Sequence, residues 1–338
     1  MKSRWQQLWR QLFLFGMLAL FLAGCGRENL SALTPQGPVA EMQFSLMKLS
    51  ALIMIGVFVV VILIFTYVLI RYRKRPGQDG IPKQVEGNHK LEILWTVIPF
   101  LLLIVMAVPT VTIAFDLSKE YTNKDALVVK VTAHQFWWEF EYPDLGISTA
   151  QDLYIPTGKK IQFDLTSADV MHAFWIPALG GKMDTNPGDS NKMWLQAEKP
   201  GIYYGKCAEL CGASHALMDF KVNALEPAKF DEWATAMKSA ESTPATASAQ
   251  QGQQIFQKSC LGCHAIGAEG GKLAPNLTNF ADRQRVAGIL ENNPENLDKW
   301  LADPQAVKPG NLMPNLNLKP EDRKALVDYM STLKVYQP

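Results

Sequence analysis

Two clusters of soft side chains carry the chemistry of this sequence. The first is Cys207-Ala208-Glu209-Leu210-Cys211, followed by His215 and Met218, with His172 upstream in Asp169-Val170-Met171-His172. Two thiolates, two imidazoles and a thioether suit copper better than calcium or magnesium. Thiols four residues apart on a loop can face one centre; His215 and Met218 extend that loop, and His172 must arrive from another. A Cys207–Cys211 disulfide and a zinc site with two Cys and two His would use the same residues. Met218, a side chain of the kind that serves as weak axial ligand in electron-transfer copper sites, favours copper.

The second cluster is Cys260-Leu261-Gly262-Cys263-His264, the attachment spacing of c-type haem. Two thioethers would fix the porphyrin and His264 would supply the proximal iron bond. A thioredoxin-like redox pair is the alternative, but it does not need His264 and lacks a βαβ context here. A Met as sixth ligand raises the potential, and the segment offers Met313 and Met330. Met313 precedes Pro314 on a predicted loop and is the expected ligand. Met330 falls in the periodic run from Glu321 to Leu333, a predicted C-terminal helix, and reads as core.

Three kinds of element must position these groups. Around the first cluster lie short β-rich runs: Leu127 to Thr132, Phe136 to Tyr142, Lys160 to Thr166, Gly201 to Lys206 and Met218 to Ala224. Turn residues such as Pro156-Thr157-Gly158 separate them, which predicts a β-sandwich or barrel over residues 121–238. Residues 239–254 are low in apolar bulk and read as a flexible linker, leaving 255–338 as a separate haem-binding domain. Residues 25–120 hold two uncharged apolar runs, Leu49 to Ile70 and Ile93 to Phe115. At 1.5 Å per residue each reaches about 33 Å, enough to cross a bilayer. The intervening loop carries Arg71, Arg73, Lys74, Arg75, Lys83 and Lys90, so it is expected on the cytoplasmic side with both flanks outside. At the start, Lys2, Arg4 and Arg10 precede an uncharged run from Gln11 to Gly24, the pattern of an export signal over residues 1–24. An uncleaved anchor helix is the alternative.

The balance of the whole chain agrees with this division. With 338 residues, two or three domains are expected. Lys and Arg total 33 against 32 Asp and Glu, which leaves no concentrated positive charge for a nucleic-acid partner. Only 19% of residues are charged, below the ~25% of soluble domains. Nine Trp, 16 Phe and nine Tyr exclude disorder as the dominant state. Residues 121–235 hold 15 acidic against 10 basic side chains, a surplus suited to a basic partner.

The stretch Tyr203-Tyr204-Gly205-Lys206-Cys207-Ala208-Glu209-Leu210-Cys211-Gly212, with His215 and Met218, resembles subunit II of cytochrome c oxidases. So do Ala133-His134-Gln135-Phe136-Trp137-Trp138, Asp169 to His172, and the hairpin segment Glu92-Ile93-Leu94-Trp95-Thr96-Val97-Ile98-Pro99; the resemblance spans about residues 40–235. It implies a multidomain membrane protein: a transmembrane hairpin, an all-β cupredoxin-like sandwich and an all-α cytochrome c domain. It further implies the dinuclear copper centre CuA, with two coppers bridged by Cys207 and Cys211. His172 and His215 would give one imidazole each, Met218 would bind one copper and the Glu209 carbonyl the other. The Glu209 side chain would also reach a magnesium ion at the subunit I interface, and Glu92 matches a glutamate at the mouth of a proton-uptake path; an ordinary helix-end charge is the alternative. Electrons in the family enter through an aromatic run, by a Trp where this chain has Phe136, which leaves Trp137 or Trp138 as substitutes. A buried aromatic cluster is the default reading of that run, and His134 reads as structural. Quinol oxidases share hairpin and fold but lack the ligands. Leu22-Ala23-Gly24-Cys25 is similar to a lipoprotein lipobox, which implies acylation of Cys25. The last domain resembles class I cytochromes c, in which the Pro275 carbonyl of Ala274-Pro275-Asn276-Leu277 would accept a hydrogen bond from the proximal His.

With Cys25 in a lipid anchor, two thiols on copper and two on haem, none is left for disulfides. The expected protein is subunit II of a haem–copper oxygen reductase in the bacterial plasma membrane, with the copper and cytochrome domains outside. It would pass electrons from its own haem c through CuA to haem a in subunit I, with subunit III alongside. A soluble cytochrome c or the upstream quinol:cytochrome c reductase would be the donor. A CuA-bearing subunit of a nitric oxide reductase and a stand-alone electron-shuttling lipoprotein are the rivals.

Overall fold

The structure is a computed structural model that describes residues 4–22, 26–77, 80, 81, 84, 86–240 and 244–336. Cys25 lies outside the described residues. Helix α1 spans Arg4–Leu22, α2 Pro38–Arg71 and α3 His89–Leu117. Among the described residues, α2 and α3 are the two helices long and apolar enough to cross a bilayer, with mean hydropathies of 3.1 and 2.5. Each outruns its apolar stretch. Pro38 opens α2 at its first turn, where a missing N–H costs nothing, and the Asn88 side chain caps α3 by accepting from the Lys90 and Leu91 amides.

Both outer ends of this hairpin are bonded to the β domain. The Gln36 amide donates to the Ala178 carbonyl and the Ala40 amide to Leu179, while the Glu198 amide donates to Gln36. Val39 is buried within the β-domain core. Trp194 Nε1 donates to the Asp116 carbonyl at the end of α3, 3.2 Å.

The β domain runs β1 Leu127–His134, β2 Trp137–Tyr142, β3 Ile147–Ala150, β4 Asp152–Pro156, β5 Ile161–Ser167, β6 His172–Trp175, β7 Met183–Thr185, β8 Asn191–Leu195, β9 Gly201–Cys207 and β10 Asp219–Leu225. One sheet has the order β3-β2-β1-β5-β8 and the other β4-β10-β9-β6-β7. The pairs β1–β5 and β4–β10 are parallel; the rest are antiparallel. Between the sheets an aromatic cluster fills the core: Phe174 stacks on Phe220 at 4.8 Å, and Trp138 meets both edge-on or tilted. The five strands that alternation marks out are present. Strands β3, β4 and β6 to β8 add to them; β4 is buried at every position, so it shows no period to read. Helix α4, Pro227–Lys238, closes the domain, with Trp233 stacked on Tyr154 at 4.5 Å.

Register places the site. In the antiparallel pair β6–β9, Phe174 faces Cys207, so the start of β6 and the end of β9 share one pole of the sandwich. Lys206 pairs with Asp219, so the connection from 208 to 218 spans two neighbouring strands at that pole. Ala133 pairs with Ser167, which brings the 135–136 turn and the 168–171 crossover to the same place.

The last domain is helical: α5 Ala247–Ser259, α6 Pro294–Ala302, α7 Pro304–Val307 and α8 Pro320–Met330. The linker expected through residue 254 is therefore shorter, because the chain is already helical from Ala247. Thr246 caps α5 by accepting from the Ala249 amide, and Ala249, Gly252 and Phe256 bury one face. Two of those three are small residues, so the apolar period is faint in sequence. Helices α5 and α8 touch backbone to backbone: a Cβ on Gly252 would stand 2.0 Å from the Ala325 carbonyl oxygen. Replacing Gly252 with Val should therefore cost this domain about 1–3 kcal/mol by overpacking, measured as a lower denaturant midpoint.

Candidate metal centre and haem site

At the shared pole the structure gathers His172, Cys207, Glu209, Cys211, His215 and Met218. The two sulfurs stand 3.9 Å apart, unbonded. Around Cys207 Sγ lie His172 Nδ1 at 3.9 Å and the Glu209 carbonyl at 3.2 Å. Around Cys211 Sγ lie His215 Nδ1 at 3.6 Å and Met218 Sδ at 3.8 Å. Ligand atoms of His172, Cys207 and Cys211 fall within 4.8 Å of one another. A sulfur separation of 3.9 Å is shorter than two metal–thiolate bonds of ~2.3 Å, so a metal between them can bond both.

The surroundings tune each ligand. His172 is buried and its Nε2 meets Asp169 Oδ1 at 2.8 Å. That contact fixes the proton on Nε2 and leaves the Nδ1 lone pair toward the sulfurs. Burial lowers the His172 pKa against the pull of Asp169. Burial alone would raise the Asp169 carboxyl, but hydrogen bonds from His172 and from the Gln135 and Val170 amides, the latter two at 2.7 and 2.6 Å, hold it below its ordinary value. Burial, with Cys207 beside it, pushes the Cys211 thiol up to about 12. Gln135 Nε2 braces this loop from outside, donating to the Cys211 carbonyl at 2.5 Å. An acid three residues before His172 is a sequence signal for this support; the Gln135 contact bridges 76 residues and leaves none.

The other residues singled out in the sequence are placed as follows. Trp138 is fully buried, its ring 6.2 Å from His172. Trp137 stacks on His134 at 4.1 Å, and His134 Nε2 lies 3.4 Å from Glu139. Phe136 is buried. The Glu209 carboxylate is half-exposed with Lys182 Nζ at 4.0 Å. Glu92 is away from the pole, on the first turn of α3, beside His89 at 3.2 Å.

In the helical domain, Cys260, Cys263 and His264 follow α5 on one turn. His264 Nδ1 lies 2.8 Å from the Pro275 carbonyl, which leaves Nε2 to face an iron. Burial lowers the His264 pKa, the Pro275 bond opposes it, and the nearby Arg283 charge adds to the lowering. Burial also pushes the Cys260 thiol up to about 11. Met313 sits on the loop after α7 and packs against the domain core, whereas Met330 is buried in α8. Two features fit a haem with acidic side arms. Buried Asn279 Nδ2 and Arg283 Nε have no hydrogen-bond partner among the described residues and so remain available to a carboxylate, while the Arg283 charge already faces Asp152 and Asp282. Leu273 and Leu312 are about 80% exposed, apolar surface that a porphyrin would cover. Arg283 lies 19 residues past His264 with no motif to flag it.

Fold and site together define a membrane-anchored electron carrier with a soft-ligand metal centre and a c-type haem domain. Three family profiles match: the transmembrane domain of cytochrome c oxidase subunit II over 33–113, its periplasmic domain over 147–225, and cytochrome c over 249–334. Cytochrome c oxidase subunit 2 of Alkalihalophilus pseudofirmus is 49% identical over 98% of this chain and all of that protein. Its counterpart from Bacillus sp. strain PS3 is 53% identical over 97% of this chain and 98% of its own. Quinol oxidase subunit 2 of Bacillus cereus is 40% identical over 64% of this chain and 75% of its own. The periplasmic domain of subunit II of the Bradyrhizobium japonicum cytochrome oxidase, 36% identical, covers 34% of this chain and 95% of that chain with a TM-score of 0.32. The chain belongs to the subunit II family of cytochrome c oxidases. Copper in the β domain and haem in the helical domain follow from that membership.

Because both thiols must lose protons to bind metal, copper uptake by metal-free protein should strengthen from pH 6 to pH 8, measured by competition titration. Asp169→Asn should weaken copper binding ~10–100-fold by releasing His172 from its orienting carboxylate.

Proposed function

We propose that this chain passes electrons from its own haem c, through a dinuclear CuA centre, to haem a in subunit I, where oxygen is reduced to water with proton translocation. The observation that carries the reading is the convergence on Cys211 of a second thiol, an imidazole and a thioether, all within 3.9 Å. Cys207 and Cys211 would hold the coppers through their thiolates, with His172 and His215 each giving an imidazole, Met218 a thioether and Glu209 its backbone carbonyl. Bound there, the copper would supply one-electron transfer, and the β scaffold would hold its ligands in place as the charge changes.

The residues around the site do the rest. Asp169 orients His172, the aromatic core excludes water, and the half-exposed Glu209 carboxylate is free to turn toward a magnesium ion at the subunit I face. In the haem domain Cys260 and Cys263 make the thioethers, His264 is the proximal ligand held by Pro275, and Met313 is the sixth ligand. Subunit I and subunit III are the proposed partners, with cytochrome c or the quinol:cytochrome c reductase as donor. Helices α2 and α3 cross the bacterial plasma membrane with both domains on the outer side. The Glu92 carboxylate serves the mouth of a proton path. Acylation of Cys25 after removal of residues 1–24 adds a lipid anchor. The aromatic run conducts electrons toward the coppers through Phe136, Trp137 or Trp138.

Electron paramagnetic resonance with metal analysis of the intact oxidase tests this. Two coppers sharing one unpaired electron are expected, with an oxygen-consuming partner that co-purifies. A single zinc, a partner that reduces nitric oxide, or no partner would overturn it. Cys207→Ser should abolish the shared-electron signal and at least 99% of oxygen uptake. Met313→Leu should leave haem attached while lowering its potential, read by redox titration.

A further inference from the structure

Among the contacts between the cytochrome domain and the β domain, a small, buried one lies at the copper-site pole. Lys308, at the end of α7, is 3% exposed. Its Nζ donates to the Phe136 carbonyl of the β domain at 2.6 Å and to the Ala287 carbonyl of its own domain at 2.9 Å. The next residue, Pro309, accepts from Ser214 Oγ at 2.6 Å, and Ser214 is itself buried between Cys211 and His215 in sequence. Gly310 then lies against Phe136: a Cβ there would meet the Phe136 ring at 3.5 Å and Ala213 at 3.4 Å. Its φ of +78° is one that a side chain would strain.

This tip is part of the loop that carries Met313, and the loop is braced internally. Asn311 Nδ2 donates to the carbonyls of Pro304 and Lys308, and Asn311 Oδ1 accepts from the Met313 amide. Gln305 Nε2 donates to the Asn311 carbonyl, while its Oε1 accepts from Gly310. A shift of the tip is thereby passed to Met313. Further along the same interface, buried Lys221 donates to Gln284 at 2.5 Å. An ammonium taken out of water is costly unless it is fully paired, so Lys308 would not be buried here without a contact that holds it.

We propose that Lys308 is a positioning residue that pins the Met313 loop onto Phe136, beside the Cys207–Met218 loop, and so covers Phe136 with this chain's own haem domain. This rests on the electron-transfer reading above. The event it positions is the movement of one electron, which leaves the haem iron ferric and the copper pair reduced by one, with no bond made and no proton moved. The buried Lys308 ammonium, its pKa lowered to about 8 by burial, is placed between two carbonyls for which a Met of similar length offers nothing.

The test compares the intact oxidase with its Lys308→Met variant. Two quantities are measured: hydrogen exchange of backbone amides in residues 134–138, and the rate of haem-to-copper electron equilibration after a rapid flash reduction of the haem. We expect exchange at least tenfold faster and equilibration at least tenfold slower, with the haem absorption bands and the copper resonance signal unchanged. Either quantity staying within twofold of the unaltered oxidase overturns the proposal. If Lys308→Met does not assemble, Ser214→Ala, which removes the other bond to the tip, is judged by the same two quantities and limits. Absence of a two-copper signal in the unaltered oxidase would sink the electron-transfer reading instead, and the exchange measurement would still decide the docking.

Discussion

Two sulfur atoms held 3.9 Å apart without bonding are the constraint on which the structure of the copper domain turns. Cys207 is fixed as the last residue of β9, while Cys211 hangs on the crossing to β10. The Cys207 amide donates to the Met218 carbonyl and the Ala208 amide to Ala173. Both ends of the loop are thus tied into the sheet, and Gln135 holds its middle.

Burial makes the Cys211 thiol a poor acid. A cation that replaces its proton stabilises the thiolate there, where little water reaches it. His172 shows the complementary device: a desolvated imidazole whose one proton is committed to Asp169, so that the other nitrogen turns its lone pair to the sulfurs. The haem domain repeats the pattern with His264 and the Pro275 carbonyl. In both, the group that decides the tautomer lies outside the ligand set.

What the sequence made legible was what lies close along the chain. Cys207 to Met218 and Cys260 to His264 are short spans whose spacing states their chemistry, and the apolar lengths of α2 and α3 announce themselves. The strands that alternate between core and solvent were readable for the same reason. Strand β4, buried on both faces, and α5, whose buried stripe is Ala249, Gly252 and Phe256, give no such period, which is why half the linker proved to be helix. The contacts that join the domains were beyond reach. Lys308 and Phe136 are 172 residues apart, and nothing local distinguishes that lysine from a solvated one. Arg283 is equally silent until its burial and its nearness to Asp152 of the β domain are seen.

The feet of the membrane hairpin have a mechanical consequence. The start of α2 and the end of α3 are both bonded to the sandwich beside the end of β8, through Ala178, Leu179, Glu198 and Trp194, so hairpin and β domain are joined at two points. Thermal tilting of the helices must carry the whole head with it, so the altitude of the thiol loop above the lipid is a property of one rigid casting. Tunnelling rates, which decay steeply with separation, then depend on how that casting is seated rather than on any internal joint.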